Sequence, residues 1–227
     1  MFGIYRMDLT FYVLDFMLTR LIPTGRLLSG LLVVFILTDG TSQALPNWEL
    51  KKDEDSIRIY VANNPESKIK MIRAEFTLHA KREDLFHQLL RADLYREWQY
   101  NTIKSEIVET VSPRELLYYC EVEAPWPVDN RDLIMRIRVN EHTGEKDFSI
   151  ITSCMPDARP KISGIVRVPA SRGEWRVRQV GPEMLKVDFR IQIDPGGYVP
   201  AWLVNLTLTQ APFQTFSNLK KRLALMK

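Results

Sequence analysis

The sequence predicts an α+β domain in which a curved antiparallel sheet is closed by one long C-terminal helix. Between Ile57 and Ile193 most segments alternate apolar and polar residues, the pattern of half-buried antiparallel strands. After Pro200 the apolar residues recur at spacings of three, four and seven, which indicates one stripe along a helix. The stripe comprises Trp202, Leu206, Phe213, Phe216, Leu219, Leu223 and Met226. A run of strands followed by one such helix is an α+β layout.

The first 44 residues differ in kind from the rest of the chain. An almost unbroken apolar run, Leu27 to Leu37, follows Arg20 and Arg26 and precedes Thr41-Ser42-Gln43-Ala44. A basic region, a short apolar run and small residues before a cleavage point are the parts of a secretory signal peptide. We expect residues 1–44 to be removed after Ala44, leaving one domain, 45–227, exported into a bacterial periplasm. The alternative is an uncleaved N-terminus that anchors the chain to a membrane.

Composition and charge exclude some classes of partner. The net charge of +3 is too small to predict binding to nucleic acid. Cys120 and Cys154 are expected to be free thiols, although export permits disulfides. They fall on strands separated by a third strand, and two intervals of about 4.8 Å exceed the Cα separation that a disulfide tolerates. We expect a monomer.

Local patterns predict the connecting elements. Trp48 to Lys52 is expected to form a short helix before the first strand, Ile57 to Val61. Lys81 to Trp98 has apolar residues at helical spacing and predicts two short helices. His142-Thr143-Gly144-Glu145 predicts a hairpin loop, with the glycine where positive φ is needed. Pro212 is expected to kink the C-terminal helix about midway, because it lacks an N–H and crowds the preceding turn.

A search for catalytic motifs is negative. The sequence contains no GxSxG, HExxH, P-loop or CxxC pattern. The three histidines are expected at a strand end, on a polar helix face and in a turn, as solvated surface residues; they are His79, His87 and His142. We therefore predict no catalytic residue, no metal site and no cofactor.

The most specific segment is Glu121 to Asp132, with the sequence EVEAPWPVDNRD. Two prolines bracket Trp126, and proline cannot donate to a sheet ladder, so this loop is expected to protrude between strands. Trp126 is then expected to pack on the C-terminal helix.

Pro125-Trp126-Pro127 followed by Asn130-Arg131-Asp132 resembles the signature of START (StAR-related lipid-transfer) domains. Further matches follow in the same order over Trp48 to Lys227: Trp98, Val166-Arg167-Val168, Trp175, and Asp194-Pro195-Gly196-Gly197 with Pro200. The resemblance implies a helix-grip fold, in which the sheet wraps around the C-terminal helix and a lipid-sized cavity lies between them. It also implies a cavity mouth formed by the Pro125 to Asn130 loop and the helix from Val199.

Members of the family often carry a buried acid–arginine pair inside the cavity, and the sequence does not identify it by residue. Glu121 or Glu123 with Arg136 or Arg138 are the candidates. These arginines, however, alternate with the apolar residues of their strand and are expected to point outward.

On this resemblance we expect an exported protein that binds one lipid or other hydrophobic molecule and contacts membranes transiently. The expected residues of the ligand cavity and its gate are Phe76, Trp98, Trp126, Met135, Trp202, Leu206, Phe213 and Phe216. Two alternatives stay open. One is an enzyme, a cyclase or hydrolase, on the same scaffold, because a fold does not fix a function. The other is a cavity-free module that binds a partner and in which the apolar stripe is simply core.

Overall fold

A computed structural model describes residues 46–141 and 146–226. The predicted signal peptide and the predicted hairpin loop at 142–145 lie outside the described residues.

The strands of the described residues form a single sheet, and nearly all neighbouring strands in it are antiparallel. Its order is β1-β2-β3-β10-β9-β7-β6-β5-β4, and β8 pairs in parallel with the start of β6. The bounds are β1 (Glu49–Glu54), β2 (Ile57–Asn64), β3 (Ser67–Leu78), β4 (Thr102–Ser112), β5 (Glu115–Val122), β6 (Arg131–Asn140), β7 (Phe148–Cys154), β8 (Val166–Arg167), β9 (Ala170–Gly181) and β10 (Met184–Asp194). This sheet and the C-terminal helices confirm the predicted fold class.

The helices cover one face of the sheet and one of its ends. They are α1 (Arg82–Leu90), a 3₁₀ helix (Ala92–Glu97), α2 (Ala201–Thr207) and α3 (Gln210–Ala224). The two short helices predicted between residues 81 and 98 are confirmed. The C-terminal helix is interrupted at Leu208 and Thr209, just before the kink that was expected at Pro212. Pro212 is the third residue of α3, where its missing N–H leaves no helical bond unmade.

The helix predicted at Trp48 to Lys52 is wrong, because Glu49–Glu54 is strand β1. β1 pairs antiparallel with β2, with Glu54 opposite Ile57. Between them Asp55 and Ser56 have positive φ angles of 51° and 60°, as in a two-residue hairpin whose turn matches the twist of the strands. Pairing with β2 therefore overrides the helical pattern of these few charged residues.

The core lies between the sheet and α3. We call the sheet surface that carries this core the inner face and the opposite surface the outer face. Phe216 of α3 is buried among aromatic side chains of three strands. Its ring centroid lies 4.5 Å from that of Phe76, 5.3 Å from that of Phe189 and 5.6 Å from that of Trp175. Aromatic contacts at these distances add to the free energy gained from burying apolar area.

Cys120 and Cys154 are both free thiols, as predicted. Cys120 lies on β5 and Cys154 at the end of β7, and β6 runs between these strands. The intervening strand separates the two residues as the sequence analysis expected.

Candidate functional site

The inner face changes character along the strands. Around Phe216 it is formed by large aromatic and aliphatic side chains. Two residues further along β7 and β9 it carries short side chains. Thr152 of β7 lies opposite Gly173 of β9, and Ser171 follows on the same face. A Cβ built on Gly173 would lie 2.7 Å from the Thr152 Oγ1 atom. The Thr152 hydroxyl thus packs directly against Gly173, and this part of the inner face is built from short side chains.

Neutral polar groups line this part of the inner face. The buried Oγ atom of Ser171 has no hydrogen-bond partner in the described part of the chain. Burial raises the pKa of the Cys120 thiol to about 12 and raises the pKa of the Tyr118 hydroxyl well above its usual value. Both groups therefore stay protonated at neutral pH. They are neutral donors, and the Cys120 thiol is not a ready nucleophile.

Two loops and α2 surround this end of the inner face, and we call them together the mouth. The first loop, residues 123–130, is closed by its own contacts. The Ala124 N–H donates to the Asn130 Oδ1 atom at 3.2 Å, and the Asn130 Nδ2 atom donates to the Glu121 carboxylate at 3.0 Å. The second loop, residues 195–200, contains Gly196 and Gly197 with φ angles of 66° and 69°. Such angles suit glycine, which lacks a Cβ.

The two mouth loops meet at β8. The Val166 N–H donates to the Asn130 carbonyl at 2.9 Å. On the other side, a Cβ built on Gly196 would lie 3.2 Å from the Arg167 carbonyl oxygen, and one built on Gly197 would lie 3.5 Å from a Val166 methyl group. The second glycine turn is therefore packed directly against the strand that anchors the first loop.

The mouth carries large apolar side chains in contact with solvent. Trp126 is 93% exposed, Trp202 is 65% exposed, and Tyr198 and Leu203 are also exposed. The expectation that Trp126 packs on the C-terminal helix is thus wrong. The loop closes on itself and on β5, whereas α2 is tied to β3 by the side chain of Asn205.

The other residues expected in the cavity and gate fall into separate groups. Phe76, Phe213 and Phe216 are buried on the α3 side of the core. Trp98 is buried beneath the 3₁₀ helix, 5.1 Å from the Tyr95 ring between centroids. Met135 is buried on the inner face opposite Tyr118. The side chain of Leu206 lies outside the described part of the structure.

A buried acid–arginine pair exists, but the residues proposed for it were wrong. Asp132 and Arg167 form it, with 0% and 2% of their side chains exposed. The Arg167 Nε atom donates to Asp132 Oδ1 at 2.7 Å, and Nη2 donates to Oδ2 at 2.9 Å. This bidentate contact raises the pKa of Arg167. Arg136 and Arg138 instead pair with Glu115, at 3.5 and 3.2 Å.

The pair lies on the outer face. Asp132 alternates with the inner-face residues Leu133 and Met135, so its carboxylate points away from α3. The remaining donors of Arg167 bond to three backbone carbonyls of the segment that connects β7 to β8, those of Pro156, Arg159 and Pro160. The pair thus fastens this connection to the sheet beside the mouth, and it is unsuited to contact a ligand on the inner face.

A groove of about 860 Å³ also lies on the outer face, centred on β9 and β10. Charged side chains line much of it, and several are paired with one another. Arg58 lies 3.3 Å from Glu75, Arg176 donates to Glu174 at 2.8 Å, and Arg178 lies 3.4 Å from Asp147. A charged and internally paired lining does not suit a hydrocarbon chain.

Two features are absent from residues 46–141 and 146–226. Within these ranges no helix is long and apolar enough to cross a membrane. The same ranges contain no group of three or more His, Cys, Asp or Glu side chains placed to hold a metal ion.

Comparison with known proteins identifies the family. The model of the START domain matches residues 36–227. The chain belongs to the START domain family. A STAR-related lipid transfer protein fragment from Xanthomonas axonopodis is 30% identical, with a TM-score of 0.73 over 78% of this chain and 98% of that one. The human phosphatidylcholine transfer protein is 28% identical over 70% of this chain and 75% of its own length. An uncharacterized protein of Pseudomonas aeruginosa is 26% identical over 77% and 85%.

Several residues that the START fold brings to the core and the mouth were not among the expected site residues. Trp175, Phe189 and Tyr118 complete the inner face. Each lies two positions from another inner-face residue of its strand, namely Val177, Val187 and Cys120. This alternation could have predicted their orientation from the sequence. Tyr198 was missed because it falls in an irregular turn, where no period indicates orientation.

We predict that Asp132→Asn lowers the free energy of unfolding by about 3–5 kcal/mol, because it leaves the buried Arg167 charge without its acid. Urea unfolding followed by circular dichroism measures the change. Asp129→Asn, at an exposed site in the neighbouring loop, should change stability by less than about 0.5 kcal/mol. Equal unfolding midpoints for Asp132→Asn and the wild type would show that the pair is not structurally important.

Proposed function

We propose that this START domain holds one lipid molecule on the inner face of its sheet, beneath α2, and carries it through an aqueous compartment. The observation that carries the proposal is the graded inner face. Large apolar side chains surround Phe216, and short neutral ones such as Gly173 and Ser171 follow toward the mouth. An acyl chain fits the first environment, and glycerol or ester oxygens fit hydroxyl groups such as that of Ser171.

The names of two relatives support a lipid ligand. One is a phosphatidylcholine transfer protein and the other is a STAR-related lipid transfer protein. An acyl chain in transit must be shielded from water. Exposing a 16-carbon chain costs a free energy on the order of 12 kcal/mol, at about 0.8 kcal/mol per methylene. A carrier must therefore cover the chain during transfer and release it by opening.

Native mass spectrometry of the purified domain tests this proposal. We expect one lipid per chain, and extraction with organic solvent should return it in equimolar amount. A protein that stays empty after incubation with mixed-lipid vesicles would contradict the carrier function and favour a module with a filled core.

We also propose that the protein is exported after removal of residues 1–44. The support is the basic region, the apolar run and the Ser42-Gln43-Ala44 site of the sequence. N-terminal sequencing of protein from the extracytoplasmic fraction should begin at or near Leu45. Intact chain recovered from membranes would instead support the anchored alternative.

The exposed side chains of the mouth are proposed to contact the membrane during loading. Trp126, Tyr198 and Trp202 are large, amphipathic and exposed, and they belong to the two loops and the helix that form the mouth. Tryptophan and tyrosine favour the interfacial region of a bilayer, where the ring meets apolar chains and its polar atom meets water.

Replacing Trp126 and Trp202 together by alanine should therefore weaken binding to phosphatidylcholine vesicles by roughly tenfold or more, measured by vesicle sedimentation. The unfolding midpoint should change little, because both side chains are largely exposed. Leu225→Ala is a matched control, since Leu225 is 88% exposed at the far end of α3. If the control and the double variant bind vesicles equally, the mouth is not the membrane-contacting surface.

We propose that α2 is the gate. Gly196 and Gly197 precede it, and the break at Leu208 and Thr209 follows it, so the helix is flanked by two points where the backbone can rotate. Its tie to the sheet is Asn205, which accepts a hydrogen bond from the Lys70 N–H at 3.2 Å and donates one to the Lys68 carbonyl at 3.2 Å. An element that opens must be held by few such contacts.

Asn205→Ala removes both bonds and should speed the release of a fluorescent lipid to acceptor vesicles several-fold. Hydrogen exchange should accelerate in α2 but not in α3. Thr207→Ala is the control on the same helix, because the Thr207 hydroxyl bonds within the helix, to the Val204 carbonyl. Unchanged release from Asn205→Ala would contradict the role of α2 as the gate.

A further inference from the structure

Arg131 occupies an unusual position at the mouth. It is the first residue of β6 and shares the parity of Leu133 and Met135, so it belongs to the inner face. The other charged residues of this strand lie on the outer face, where Asp132 pairs with Arg167 and Arg136 with Glu115. Arg131 thus places a guanidinium group at the open end of an inner face whose neighbouring polar groups are neutral.

The Arg131 guanidinium forms no ion pair with a carboxylate of the described residues, although it is half-buried. The Nη1 atom donates to the Asp129 carbonyl, which satisfies one of its five N–H groups. Burial lowers the pKa of Arg131, and the charge of the nearby Asp129 opposes that effect. A partly desolvated arginine that forms no ion pair is stabilised by an anion that reaches it.

The second mouth loop approaches the Arg131 guanidinium closely. Gly197 faces the guanidinium, and a Cβ built there would lie 3.7 Å from the Nη2 atom. A side chain at position 197 would reach van der Waals contact with the guanidinium, and the glycine leaves that contact unmade. Tyr198 and Trp202 follow in the chain, at the surface that we propose to contact the membrane.

We propose that Arg131 binds the phosphate or carboxylate group of the carried lipid at the mouth, with the acyl chains on the inner face. This inference rests on the proposed function and deepens it by naming the ligand class. The ligand is an amphiphile with an anionic group, such as a phospholipid, and not a wholly neutral lipid such as a diacylglycerol. Arginine suits this role, since its planar donors bind a phosphate or carboxylate in a bidentate manner.

A competition experiment tests the inference. Phosphatidylcholine vesicles carrying equal amounts of phosphatidic acid and diacylglycerol, with identical acyl chains, are incubated with the protein. The protein is then separated from the vesicles, and the captured lipids are quantified by mass spectrometry. The wild type should capture phosphatidic acid over diacylglycerol by roughly tenfold or more. Arg131→Gln should bring that ratio close to one while diacylglycerol capture is unchanged.

Two variants control for loss of the fold and for general charge. Arg131→Lys keeps the charge but loses the bidentate geometry, and it should restore part of the preference. Arg136→Gln removes a positive charge from the outer face of the same strand and should leave the ratio unchanged. Unfolding midpoints of all three variants are measured in parallel, so that Arg131→Lys still decides the question if Arg131→Gln is unstable.

Other results would overturn the inference and identify the cause. A preference for phosphatidic acid that persists in Arg131→Gln shows that another group recognises the anion. If Arg131→Gln keeps the capture ratio of phosphatidic acid to diacylglycerol but sediments less with vesicles, Arg131 binds the membrane surface and not the carried lipid. Saturable binding of inorganic phosphate alone that Arg131→Gln removes, with the lipid ratio unchanged, assigns the residue to a free anion. Capture of neither lipid by the wild type refutes the proposed function as well.

Discussion

The burial of Phe216 against three strands is the contact on which the rest of the structure depends. One ring on α3 touches Phe76, Trp175 and Phe189 of β3, β9 and β10, which lie side by side in the sheet. Truncation of such a side chain costs about 3–5 kcal/mol, a large part of the stability of a domain. Together with the buried Phe213, Leu219 and Leu223, this contact holds α3 to the sheet. Because α3 is held in this way, α2 and the break that follows it can serve as the proposed gate of the mouth.

The ion pairs described above lie on the outer face, away from that apolar contact. Arg167 directs its donors to Asp132 and to backbone carbonyls on the outer face, where it fixes the connection between β7 and β8. Both mouth loops contact β8, the strand that follows this connection. The inner face beneath α2 keeps neutral groups, and Arg131 stands at its edge. The separation explains how one sheet offers a rigid support on one side and an apolar surface on the other.

Much of the fold could be predicted from the sequence, because period-two alternation and the helical stripe are local consequences of burying one side of each element. The ends of elements could not. β1 was missed because its charged residues pair at a sheet edge without burying an apolar face. The helix breaks at Leu208 because Pro212 has no N–H to donate to the Leu208 carbonyl, so α3 begins just before the proline. The exposure of Trp126 follows from contacts within its own loop, and the partner of Arg167 follows from the pairing of β8 with β6. Residue periodicity carries no information about either.

Photo-crosslinking tests the central claim most directly, since it reports where a bound acyl chain lies. A phospholipid with a diazirine near the end of one chain is loaded, the complex is isolated and irradiated, and adducts are located by peptide mass spectrometry. The account predicts adducts on inner-face residues and on the underside of the gate, such as Met135, Ile191 and Val204. Adducts concentrated on the outer-face groove, at Thr77 or Ser149, would contradict it.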